Sequence, residues 1–261
     1  MRTFIINVTY FMAIISCLIF QNGCKQNIHK ACEKGNIDEV KRILSSINNV
    51  NLLNNALQAP IHVACDKQNI DLVELLIQKG ADINHVDKFV GTPLHYSSRK
   101  GNLQLTELLI KAKAIVDKAN LDGDTPLIIA SRYGKLDIVD ILIKAGANPD
   151  YKNINYKNST ALHMASLCNR KDVVEYLLKM KVDVNVKDTD GKTPLHLTPT
   201  LNAFATAIIL KQAGADLYSK DNNGNTPYDI AVENKCKKEF LDLLKANAKS
   251  VSVPPPPSVA K

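Results

Sequence analysis

One spacing governs what this chain can fold into. His29, His62, His95, Ile128, His163, His196 and Asp229 stand 33, 33, 33, 35, 33 and 33 residues apart. The residues around them recur in phase: Pro93-Leu94, Pro126-Leu127 and Pro194-Leu195 precede the slot, with Pro60-Ile61, Ala161-Leu162 and Pro227-Tyr228 as variants. Two residues after each slot comes a small side chain, from Ala31 and Ala64 through Ser97, Ala130, Ala165 and Thr198 to Ala231. Farther on lie aliphatic pairs such as Leu75-Leu76, Leu108-Leu109, Leu177-Leu178 and Leu243-Leu244. A unit of this length cannot bury its apolar stripe alone, so stability must come from stacking on its neighbours.

Each recurring residue has a physical role. Thr92, Thr125, Thr160, Thr193 and Thr226 stand where a helix N-cap is needed, and their hydroxyls are expected to accept an orphan backbone N–H. Proline next in line suits the first helical position, where its missing N–H would have had no partner. Gly35, Gly101 and Gly134 are expected to end the first helix of a unit, and Gly80, Gly146 and Gly214 the second, in left-handed caps. Apolar residues at helical spacing, such as Leu72, Leu75, Leu76 and Ile138, Ile141, Leu142, give the buried stripe.

This pattern resembles the ankyrin-repeat family, whose unit reads roughly D-x-x-G-x-T-P-L-H-x-A, a glycine, a second helix, then G-A-D. The closing motif stands here as Lys79-Gly80-Ala81-Asp82, Ala145-Gly146-Ala147-Asn148 and Ala213-Gly214-Ala215-Asp216. The resemblance covers about Asn27 to Asn247 and implies an all-α solenoid of about seven 33-residue helix-turn-helix units joined by hairpin-like connections. The departures are informative. Two extra residues enlarge the hairpin at 152–158, and Pro199 falls inside a first helix, where it should distort the turn. The units at His29 and Thr226 read as the two ends of the array.

The domain organisation is therefore read as 1–23 signal peptide or membrane anchor, 24–247 repeat domain, and 248–261 a disordered tail around Pro254-Pro255-Pro256-Pro257. Residues Phe4 to Phe20 form the one long apolar run, behind Arg2 as its only charge. The segment resembles a bacterial lipoprotein signal with the lipidated residue at Cys24. An uncleaved anchor and plain secretion follow as alternatives, and Cys17 is the other candidate for lipidation. The expected location is exported, in the cell envelope or membrane-anchored, or else secreted.

Little supports catalysis. Five of the six histidines share the repeat slot, where the family resemblance implies a structural imidazole bonding the turn and the next unit. No C-x-x-C, P-loop, G-x-G-x-x-G, H-E-x-x-H or G-x-S-x-G occurs, so no cofactor and no metal site is expected. Cys32 and Cys65 stand at equivalent points of adjacent helices, roughly 8–10 Å apart, too far for a disulfide, and should remain thiols. Asn158-Ser159-Thr160 reads as a glycosylation sequon by coincidence in an Asn-rich chain.

What remains is a surface. The resemblance implies binding of a partner protein through hairpin tips and the exposed, concave side of the first helices. Carried onto this chain, the candidate stripe is Lys88, Phe89, Arg99, Lys100, Arg132, Tyr133, Tyr156 and Lys157. Aromatic and Arg side chains are what binding hot spots favour. The formal charge is +7, with 33 Lys+Arg against 26 Asp+Glu. That excess is thin over 261 residues, and lysine-rich rather than arginine-rich, so nucleic acid is not the expected partner. The alternative function is electrostatic association with anionic lipid or nucleic acid through the Lys excess. The chain is expected to be a monomer.

Overall fold

The computed structural model describes residues 27–47 and 49–245. Seven helix pairs follow one another. They are α1 (27–33) with α2 (Ile37–Ser46), α3 (Pro60–Asp66) with α4 (Ile70–Gln78), α5 (Pro93–Lys100) with α6 (Leu103–Lys111), and α7 (Pro126–Tyr133) with α8 (Leu136–Lys144). Then come α9 (Ala161–Leu167) with α10 (Lys171–Lys179), α11 (Pro194–Leu197) with α12 (Phe204–Gln212), and α13 (Pro227–Glu233) with α14 (Lys238–Leu244). No strand occurs among the described residues; the single isolated bridge joins Asn153 and Ser159. The fold is an all-α repeat solenoid. The candidate signal segment with Cys17 and Cys24, and the Pro-rich tail, lie outside the described residues. Among those described, no helix is long and apolar enough to cross a membrane.

Stacking runs along two rows. First helices pack on first helices, α3 to α5 to α7 to α9 to α11 to α13, while second helices do the same from α4 to α12. The buried ladder repeats the sequence phase: Ile61, Leu94, Leu127, Leu162 and Leu195 occupy one rung position, Leu76, Leu109, Leu142, Leu177 and Leu210 another. Ala64, Ser97, Ala130, Ala165 and Thr198 are fully buried where the two helices of a unit meet, so a larger side chain would force them apart. Gly101 (φ 79°) and Gly134 (φ 68°) close their helices in the left-handed region, as the cap reading requires. Cys32 and Cys65 are buried free thiols, and burial pushes the Cys32 thiol up to about 12.

The sixth unit departs from its neighbours where Pro199 sits. Its first helix stops after four residues, and Thr198–Leu201 continues as a 3₁₀ turn. The second helices start on a signal that the motif reading passed over: the Asn36, Asn69 and Asn102 side chains each accept the backbone N–H three residues on, at 3.0 Å.

Thr125, Thr160 and Thr226 cap their helices as expected, and where the slot holds histidine the threonine makes a further bond. Thr92, Thr160 and Thr193 turn their hydroxyls onto the Nδ1 of His95, His163 and His196 at 2.9, 3.0 and 2.8 Å. The threonine backbone N–H donates to the same nitrogen, at 3.1 to 3.2 Å. Where the slot holds Ile128, no imidazole competes, and the Thr125 hydroxyl accepts the Ile128 N–H at 3.4 Å. Thr160 does both, its hydroxyl also accepting the His163 N–H at 3.5 Å.

With Nδ1 an acceptor, the imidazole proton must sit on Nε2. It is donated to the carbonyl of the following connection: His29 to Gln58 (2.8 Å), His95 to Asp124 (2.9 Å), His163 to Lys192 (3.1 Å) and His196 to Asn225 (3.2 Å). His62 is the variant, reaching the His85 carbonyl at 2.9 Å with Tyr96 edge-on beside it. The slot histidines are structural ties between successive units.

Candidate functional site

The connections between units present a row of short turns beside the first helices. Each is closed by one backbone bond: Asp87 N to Gly91 O, Asn120 N to Asp124 O, Asp188 N to Lys192 O, Asp221 N to Asn225 O. In the fifth unit the closing pair is Asn153 and Ser159, six apart instead of four, which is where the two inserted residues go. Their effect is to push Ile154 and Tyr156 outward, 78% and 48% exposed. Leu121 and Phe89, on the two preceding turns, are 63% and 66% exposed.

Between the fourth and fifth units this leaves an open groove of about 480 Å³. That volume falls within the roughly 300–1,000 Å³ usual for ligand pockets. Its lips are Leu121 and Tyr156; its floor is Met164, Leu167 and Cys168 on and just after α9; Arg132 of α7 stands at its side. The Arg132 guanidinium pairs with Asp124 at 2.8 Å and lies 3.6 Å from the Met164 sulfur. Asp124 is buried and also accepts from the Asn153 amide at 2.7 Å. Burial pushes its carboxyl above the ordinary value, with Arg132 and Asn153 pulling the other way. Gly123, at φ +79°, lets the turn of one unit lie against the next, because a Cβ there would collide with Asn153 Oδ1.

Of the candidate stripe, Arg132 and Tyr156 line this groove. Arg99 and Lys100 hold the slot one unit earlier, both tied to Asp66 at 3.3 and 3.0 Å, and the Arg99 guanidinium lies 5.6 Å over the Tyr96 ring. Lys88 is exposed at its turn, its backbone N–H bonded to the Ala56 carbonyl at 3.0 Å. Tyr133 is 44% exposed at the end of α7 but does not line the groove. Lys157 is paired with Asp190 on the next turn. The cations of this face are thus largely held by carboxylates of neighbouring units, while its aromatic and aliphatic groups stand free in solvent.

The sequence reading did not single out Asp124, Asn153, Asn155, Met164 or Cys168 as parts of a site. Asp124 and Asn153 mark turn positions; Asp124 pairs with Arg132 within one unit, and Asn153, at the start of the next turn, reaches back to Asp124. Among the described residues no group of three or more His, Cys, Asp or Glu could hold a metal ion. His85, outside the repeat slot, bonds the Leu57 carbonyl at 2.9 Å and packs edge-on to His62.

Family models for ankyrin repeats match residues 61–110 and 152–197, and the single-repeat model matches 122–154. The chain carries ankyrin repeats. The chain is 31% identical over 90 residues to the human neurogenic locus notch homolog protein 1, covering 34% of this chain and 4% of that protein. It is 37% identical over 90 residues to the potassium channel SKOR of Arabidopsis thaliana, covering 34% and 11%. It is 35% identical over 77 residues to the inhibitor of Bruton tyrosine kinase of Xenopus laevis, covering 29% and 6%. The shared stretch is therefore a small fraction of each relative's length.

Proposed function

We propose that this protein is a noncatalytic protein-interaction module that holds a partner protein against its hairpin tips and the concave face of its first helices. The observation that carries the reading is the run of solvent-exposed Phe89, Leu121, Ile154 and Tyr156 on successive turns, beside a groove with an arginine at its side. Large apolar groups left in water on neighbouring turns, rather than singly, are the usual mark of a binding surface. The names of the relatives add support, since one of them inhibits a kinase. The apolar segment from Phe4 to Phe20 supports an envelope location, with Cys24 the lipidated residue. Incorporation of labelled palmitate, lost in Cys24→Ala, tests that part; label retained in that variant refutes it.

The functional test is affinity capture from the native cell envelope with the full chain as bait, the captured protein identified by mass spectrometry and then purified. Direct binding by the purified protein, resistant to moderate salt, supports the reading. Loss of all association with a steep salt slope, and equal binding to any anionic surface, supports the electrostatic alternative favoured by the Lys excess.

A further inference from the structure

We infer that the segment directly after α14, residues 246–253, folds back over the uncovered end of the seventh unit and keeps that end from stacking on a second copy of the chain. The inference is independent of the partner-binding reading. Within the array each unit is covered by the next. Leu195 and Leu210 of the sixth unit are fully buried, and Pro199 is buried where α13 packs against it. Tyr228, Leu243 and Val232 hold the same three positions one repeat later, and among the described residues no further helix pair covers them. Tyr228 and Leu243 are accordingly only partly buried, and Val232 is 48% exposed. Terminal repeats need a polar outer face, because an apolar end lets one array add to another. Such a head-to-tail contact does not close on itself and builds open chains of molecules.

A second array is a poor cover for this face. In the sixth unit the slot histidine donates to the following connection, His196 to the Asn225 carbonyl at 3.2 Å. Asp229 holds that slot in the seventh unit, and its carboxylate accepts the Thr226 N–H and hydroxyl at 2.9 and 2.7 Å. An ionised carboxylate has no proton to give, so a stacked carbonyl would meet it as a second acceptor.

The chain's own continuation suits the face better. Lys245 leaves α14 with extended backbone (ψ 126°), and its ammonium lies 5.9 Å over the Tyr228 ring, so the next residues start at the edge of the face. Residues 246–253, which lie outside the described residues, read Ala-Asn-Ala-Lys-Ser-Val-Ser-Val. At about 3.3 Å per residue they reach about 26 Å, more than enough to cross two helices whose axes pack about 8–10 Å apart. Val251 and Val253 alternate with Ser250 and Ser252, so an extended path turns both valines to one side. Its backbone N–H groups are the donors that Asp229 can use, and Pro254 to Pro257, which have none, end the strap. A short tether holds the segment at an effective concentration of about the millimolar range, above that of a second copy in dilute solution.

The test is hydrogen exchange, read by mass spectrometry, on the full chain in detergent micelles, with sedimentation velocity on the same samples. Amides of 246–253 should exchange at least about tenfold more slowly than in a synthetic peptide of the same residues, independent of protein concentration. Val251→Asp with Val253→Asp should restore the peptide rate, speed exchange at the end of α14, and let the chain self-associate where the wild type stays monomeric. Both valines lie outside the described array, so its folding is not at stake. Val232→Asp, at an exposed position, should release the segment from the other side. Exchange at the peptide rate in the wild type, or protection indifferent to both sets of substitutions, would overturn the inference. Protection that rises with protein concentration would assign the face to a second copy and overturn it as well. A double variant that stays monomeric would refute the shielding role.

Discussion

Protonating the slot histidines should unfold the array, and His95 sets the scale. Its Nδ1 accepts from Thr92 and its Nε2–H donates to Asp124 O, so the neutral ring satisfies both partners and the charged ring cannot. Burial pushes its pKa down from 6.5 to about 4, opposed by the Asp124 carbonyl and the charge of Asp87. The folded state therefore binds fewer protons than the unfolded one between those values, and stability rises with pH in that window. This contribution is fully present above about 6.5 and is lost as pH falls through 4. At 1.36 kcal/mol per pKa unit, the drop corresponds to about 3 kcal/mol from His95 alone. His62, His163 and His196 are lowered by burial in the same direction. For a chain of this size, 1 kcal/mol moves the melting temperature by about 2–4 °C. Melting at pH 7.5 and pH 4.5 should then differ by on the order of 10 °C or more. His95→Ile, which copies the arrangement around Ile128, should begin less stable but show a shallower slope. NMR should find the His95 ring neutral with its proton on Nε2 at pH 5.5. A ring titrating near 6.5 in the folded protein, or melting independent of pH over this range, would refute the reasoning.

Three further expectations concern the scaffold. The Ser98, Ser131 and Ser166 hydroxyls are buried without a partner, so Ser98→Ala should hold or raise stability by up to about 1 kcal/mol in chemical denaturation, and a larger loss would contradict it. Hydrogen exchange should show Pro194–Leu197 and the following 3₁₀ turn opening before α5 and α7, and uniform protection would count against the distortion assigned to Pro199. Gly123→Ala should cost at least about 1 kcal/mol by melting, since it meets both a left-handed φ and the Asn153 side chain; an unchanged melt would show the turn to be slack.

The fold was legible because every unit repeats the same local chemistry in the same phase. Leu94 and Leu127 fall on the same rung because they hold the same slot, and the 33-residue offset carries the histidine ties with them. Thr92 was read in part: it is the N-cap of its helix, but its hydroxyl also meets the Nδ1 of His95 three residues on, a bond the cap reading did not include. The Asn36, Asn69 and Asn102 caps were readable from an Asn just before each apolar run, a signal hidden by attention to the first helices. The groove was only half visible. Arg132 and Tyr156 stand out by residue type, whereas Asp124, Asn153 and Met164 hold ordinary repeat slots that single out nothing, and Asn155 joins them from a turn lengthened by two residues, whose path no periodicity specifies.

That geometry also changes which variants can test the binding face. Arg132→Ala would strand the buried Asp124 and destabilise the fold on its own account, and Asp140 is a poor control because it accepts from Tyr176 at 2.7 Å. Phe89, Tyr133 and Tyr156 are exposed on the candidate face, while Glu74 and Lys179 are exposed on second helices. The decisive measurement is the affinity of the purified native partner for alanine variants at these five positions, each first checked for unchanged melting. The account predicts losses on the order of 2 kcal/mol, about thirtyfold, at the central aromatics of the face and none at Glu74 or Lys179. Equal losses from both sets, or full affinity after Phe89, Tyr133 and Tyr156 are removed together, would contradict it.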